Sequence, residues 1–155
     1  MDATPLIESF GVVQAGSSMH WGAAINEAEV IDALLALKVW AIVGLGNNPD
    51  RAAFGVAKLL QEKGHTIIPV YPRAEVVHGE IGYKVLSDIP VQVDVVDCFV
   101  NSSLVGKIVD EAIAIGAKAV WLQLDVIDEE AVSRARAAGL LTVMNRCPAI
   151  EYQKR

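Results

Sequence analysis

The stretch Ala41–Gly55, AIVGLGNNPDRAAFG, decides the fold. Its apolar start, Ala41–Val43, halts at Gly44, and a second glycine follows at Gly46. The polar run Asn47–Arg51 then leads into Ala52, Ala53 and Phe54, where a helical pattern begins. This reads as a strand, a tight turn and a helix. Glycine lets the backbone turn sharply and lets a ligand come close. The first turn of the following helix offers free N–H groups and the positive end of its dipole. Gly44, Gly46 and the helix start near Ala52 are therefore candidates to hold a phosphate or diphosphate. The plainer alternative is that the glycines only join a strand to a helix.

Known phosphate motifs fit this turn poorly. No Gly-Lys-Ser or Gly-Lys-Thr follows it, so the nucleoside triphosphate loop is missing. Counted from Gly44, the third glycine of GxGxxG falls on Pro49.

Outward from this stretch the chain alternates. Asn26 caps a helix with Glu27 and Glu29 in its first turn and Val30, Leu34 and Leu37 on one face. Val39–Gly44 is a strand, Ala52–Gly64 a helix, and His65–Pro72 the next strand. Val93–Val100, Lys118–Leu124 and Leu140–Asn145 are further strands. They are separated by helices over Ser102–Gly116 and Asp128–Gly139. Strands apolar on both faces, spaced by helices, predict a parallel sheet covered on both sides. The fold class is doubly wound α/β, a mostly parallel, Rossmann-like sheet with helices on both faces. Residues 1–25 lack a period and read as an N-terminal arm, so the domain spans 26–155.

In such a sheet the ligand lies beyond the strand carboxyl ends, where strand order reverses. That rule gathers Gly44–Arg51, Pro69–Arg73, Phe99–Ser103, Gln123–Asp125 and Asn145–Pro148 around one crevice. In a dinucleotide site an acid closing the second strand grips the adenosine ribose. Here that position reads Tyr71, Pro72, Arg73. An arginine suits a ribose that carries an extra phosphate, as in NADP or coenzyme A. It equally suits a solvated loop.

No catalytic centre is legible. His20, His65 and His78 have no zinc spacing. His65 belongs at the far end of the sheet, and His78 in a loop near the crevice. Asp97, inside the apolar run VVDCF, is expected to order a neighbouring loop rather than act as a base. Cys98 reads as a small buried hydrophobe. Cys147 stands beside Arg146, whose charge favours the thiolate, but no base is evident.

Composition narrows the partners. The 155 residues are 53% hydrophobic and 21% charged, which suits one domain with a sizeable core. A net charge of −6 without a basic run argues against nucleic acid. Apolar runs are strand-sized, so no membrane span is expected. The N-terminus has no secretory pattern, and two cysteines are more simply reduced thiols than a disulfide. The expected location is the cytoplasm. A protein partner or a second copy of the chain stays open.

AIVGLGNNPDR, GVAKLLQEKGHTIIPVYP, GEIGYKVLSDIP, VDVVDCF, KAVWLQL and VMNRCPAIEY, in this order, resemble the small stand-alone CoA-binding proteins. These are similar to the CoA-binding domain of the succinyl-CoA synthetase alpha subunit. The resemblance runs from about Asn26 to Arg155. It implies coenzyme A as ligand and no catalysis by the domain alone. It sets Gly44, Leu45, Gly46, Asn47, Arg51 and Phe54 at the diphosphate, and Val70, Tyr71, Pro72 and Arg73 at the adenosine end. Asn145, Arg146 and Cys147 would lie on the rim.

The chain departs from the family pattern at several of these places. Gly46 stands for a usual serine, and Ala52 and Ala53 for Pro-Ser, which removes hydroxyls that bond phosphate. Tyr71 replaces asparagine, Val100 arginine, Asp125 glycine and Asn145 aspartate. Three readings follow: a module for CoA or acyl-CoA, a degenerate domain working through protein contacts, and an NADP-binding protein.

Overall fold

A computed structural model describes residues 26–155, and the expected arm over 1–25 lies outside them. The first helix, α1 (Glu27–Leu35), opens on a reciprocal cap. The Asn26 side chain accepts from the Glu29 N–H, and the Glu29 carboxylate accepts from the Asn26 N–H, each at 2.9 Å. Then come β1 (Val39–Val43), α2 (Ala52–Glu62) and β2 (Thr66–Val70). After a long connection with a 3-10 turn at Leu86–Asp88 come β3 (Val95–Cys98), α3 (Ser102–Ala114) and β4 (Ala119–Leu122). The described chain ends with α4 (Glu129–Ala137), β5 (Leu141–Val143) and α5 (Pro148–Gln153). The sequence reading missed α5. Its signal was Pro148 at the first helical position, where a missing N–H costs nothing.

The five strands are all parallel in the order β2-β1-β3-β4-β5. Trp40, Ile42, Val95, Trp121 and Val143 pack against α1, α2 and α5 on one face. Ala41, Val43, Val96, Val120 and Leu122 pack against α3 and α4 on the other. The connection after β2 carries the chain across β1 to β3, so the order reverses beside β1. Among the described residues no helix is long and apolar enough to cross a membrane.

Both cysteines are free and buried. Cys98 lies in the core, as expected, and burial, then the neighbouring Asp97, push its thiol well up.

Asp97 requires a correction. It pairs in register with Ile42 and Trp121, is fully buried, and neither carboxylate oxygen has a hydrogen-bond partner among the described residues. It orders no loop. Burial holds its carboxyl well above the ordinary range, because charge is costly in an apolar layer. The ordering work falls to Asp94, which accepts from the Val39 N–H at 2.9 Å and pairs with Lys118 at 3.3 Å.

Candidate functional site

Gly44 follows β1 with φ of 100°. Its N–H donates to the Val70 carbonyl at 2.8 Å, and a Cβ here would lie 2.3 Å from the Phe99 carbonyl oxygen. The fold therefore demands glycine at 44 whether or not a ligand binds. Leu45 turns into the core and is buried. Asn48 closes the turn: its side-chain oxygen accepts from the Asp50 N–H at 2.9 Å and its carbonyl from the Arg51 N–H at 3.1 Å. Arg51 is the N-cap of α2 in an extended conformation, yet no side chain caps the helix and no acid stands in its first turn. An uncapped helix start leaves backbone donors for solvent or an anion.

The loop after β2 forms the facing wall. Ala74, in the left-handed region at φ 52°, donates its N–H to the Tyr71 carbonyl at 2.8 Å. That turn brings Tyr71 and Glu75 over Gly46. A Cβ on Gly46 would lie 3.4 Å from two Tyr71 ring carbons and 3.6 Å from Glu75 Oε1. The loop is fastened from several sides. Asn47 Nδ2 donates to the Val76 carbonyl at 2.9 Å, and Gln61 Nε2 to the His78 carbonyl at 3.0 Å. His78 Nε2 donates to the Phe54 carbonyl at 2.8 Å, and the two rings meet at 4.3 Å. His78 and Phe54 thus hold the loop to α2 and lie outside the cleft.

The two walls enclose a cleft of about 250 Å³. Gly44, Gly46, Asn47, Asn48 and Arg51 line one side; Tyr71, Arg73 and Glu75 line the other. Sites that enclose a whole drug-sized ligand run to roughly 300–1,000 Å³. This one is smaller and has room for part of such a ligand. Two arginines and one glutamate are among its lining residues. Asn48 was reached from sequence only as part of Gly44–Arg51, and Glu75 was missed. Glu75 lies five positions beyond the end of β2, and nothing in a linear reading shows the chain turning back.

Other residues named from sequence stand elsewhere. Pro72 is exposed and does not line the cleft. Asn145, at φ 61°, accepts from the Asp125 N–H at 2.8 Å and so ties two turns together. Arg146 pairs with Glu27 at 2.7 Å, and its carbonyl accepts from Trp121 Nε1 at 2.8 Å. Its charge is thus engaged with α1. Cys147 is buried at the start of α5. The Ser102 hydroxyl accepts from the Ile127 N–H at 2.9 Å and donates to the Asp125 carbonyl at 3.2 Å. The turns after β3, β4 and β5 are bonded to one another rather than to the cleft. His65 lies at the opposite edge, as expected, between the Leu37 carbonyl at 2.8 Å and the Tyr152 hydroxyl at 2.6 Å. Burial lowers its pKa.

The all-parallel sheet covered by helices on both faces is a Rossmann-like fold. A family model described as a CoA binding domain matches residues 38–153, and the chain belongs to that family. A curated relative, the uncharacterized protein YneT of Bacillus subtilis (strain 168), is 30% identical over 127 residues, covering 82% of this chain and 94% of its own. A hypothetical protein from Pyrococcus horikoshii OT3 superposes with TM-score 0.78 at 38% identity, over 84% of this chain and 92% of that one. A solved dinucleotide-forming acetyl-coenzyme A synthetase 1 from Ca. Korarchaeum cryptofilum, in complex with phosphate and ADP, gives TM-score 0.67 at 25% identity. That match covers 74% of this chain and 27% of the synthetase.

Proposed function

We propose that residues 26–155 form a cytoplasmic CoA-binding domain, preceded by an arm, that holds CoA or an acyl-CoA without a catalytic centre of its own. The diphosphate would rest on the Gly46 turn against the start of α2, with Arg51 beside it. The adenosine would lie at the Tyr71 and Arg73 end of the cleft. The single observation that carries this reading is the uncapped, acid-free N-terminus of α2 opening onto a cleft that two arginines flank. Family membership supports CoA as the nucleotide. Asn145, Arg146 and Cys147 are proposed only as a rim for the part of the ligand beyond the cleft.

The test is a calorimetric series with CoA, acetyl-CoA, NADP and ATP. The reading expects CoA and acetyl-CoA to bind with similar affinity, and NADP and ATP to bind at least about tenfold more weakly, a difference of about 1.4 kcal/mol. Tighter binding of NADP would replace the ligand. No heat with any of the four would remove the nucleotide reading.

A further inference from the structure

We propose that Glu75 is the specificity-determining residue of this cleft: its carboxylate accepts hydrogen bonds from the adenosine ribose and favours a ribose that carries no phosphate. The inference rests on the nucleotide reading above and names which form of the nucleotide the site prefers.

A carboxylate beside a diphosphate site needs a reason. Opposite a bound diphosphate, an acid repels the ligand unless donors stand between them. The fold fixes the Glu75 backbone on the wall that faces the turn. Its Oε1 lies 3.6 Å from where a Cβ on Gly46 would be, on the wall facing the turn. Its backbone is clamped as well: a Cβ on Gly82 would sit 2.2 Å from the Glu75 carbonyl oxygen. The next residue, Val76, is tied to Asn47 at 2.9 Å. Among the described residues the Glu75 side chain has neither an ion pair nor a hydrogen bond, although Arg51 and Arg73 line the same cleft.

The ligand's own chemistry supplies the donors. In an adenosine 5′-diphosphate unit the ribose is the next group along from the diphosphate. Its vicinal hydroxyls are two donors facing one way, and a carboxylate is the acceptor pair that matches them. In doubly wound sheets this acid closes the second strand. Here the strand closes on Tyr71, Pro72 and Arg73, and the turn at Ala74 brings an acid onto the wall over Gly46 instead. Arg73 pulls the other way, because a guanidinium favours phosphate on that ribose. Arg73 is exposed while Glu75 is half-buried over Gly46, so the carboxylate, less screened by solvent, dominates the choice. CoA, whose ribose bears a 3′-phosphate, is tolerated through Arg73. The same molecule without that phosphate is preferred.

The experiment titrates CoA and 3′-dephospho-CoA into the full chain, its Glu75→Gln variant and its Glu75→Ala variant, each checked for a native melt. Wild type should favour 3′-dephospho-CoA by about fivefold or more. Glu75→Gln should weaken 3′-dephospho-CoA by about five- to tenfold and leave CoA equal or tighter, and Glu75→Ala should shift the ratio in the same direction. If both ligands bind and either folded variant keeps the wild-type ratio, Glu75 does not read the ribose. A wild-type preference for CoA would also overturn the proposal. If neither ligand binds wild type, the CoA reading itself falls, and Glu75's role with it.

Discussion

The two halves of the sheet's carboxyl edge are built in opposite ways. In the half made by β3, β4 and β5 the turns satisfy one another. Asn101 caps α3 by accepting from the Ser103 N–H, Asp128 caps α4 by accepting from the Ala131 N–H at 3.0 Å, and two acids follow in the first turn of α4. Ser102 and Asn145 stitch the turns together. In the half made by β1 and β2, α2 starts with an arginine, no cap and no acid. The closed half has spent its polar groups on stability. The open half keeps backbone donors at an uncapped helix start and two arginines beside a cleft, which is the arrangement a phosphate ester needs.

The largest effect expected is on the fold beneath the open half. Gly44→Ala meets both a left-handed backbone and the Phe99 carbonyl, and should cost about 3 kcal/mol or more in denaturant melts. A variant as stable as wild type would show that the turn can move away from β3. Next is Asp97, in β3 at the seam with β1, where the two halves meet. Its folded-state pKa is raised, so the native state keeps a proton that the unfolded state has already released. Stability should therefore fall as pH rises from the unfolded value toward the folded one, by up to about 1.4 kcal/mol per pH unit. Asp97→Asn carries no titrating proton and should lack that slope. Parallel pH-stability curves for the two proteins would contradict the assignment. The smallest effect belongs to the closed half. Asp128→Ala should cost about 1 kcal/mol through the lost cap and leave CoA affinity unchanged. A matching loss of CoA affinity would mean that the two halves are not separate.

Much of this was legible in the sequence. Apolar runs broken by glycine gave the strands and helices, because a buried parallel strand has no polar face to confuse the pattern. Gly44, Gly46, Asn47, Arg51, Tyr71 and Arg73 were named and meet at one cleft. Topology, like the family resemblance, also grouped Asn145, Arg146 and Cys147 with them. It ranks whole loops and cannot tell that Arg146 is paired with Glu27 or that Asn145 is tied to Asp125. Glu75 escaped for the reverse reason: a loop that doubles back carries no period. Asp97 was given a partner because buried acids usually have one.

The central claim is that the open start of α2 is an anion site. Arg51→Asp tests it by giving α2 the kind of cap that α4 already has. The measurement is one CoA titration of this variant beside wild type, with the melting temperature of each. The account predicts a variant at least as stable as wild type, by up to about 1 kcal/mol, since an aspartate cap satisfies the helix amides. It also predicts a CoA affinity at least about tenfold lower, because a cation has been exchanged for an anion beside the diphosphate. A folded Arg51→Asp protein that binds CoA as tightly as wild type would contradict the claim.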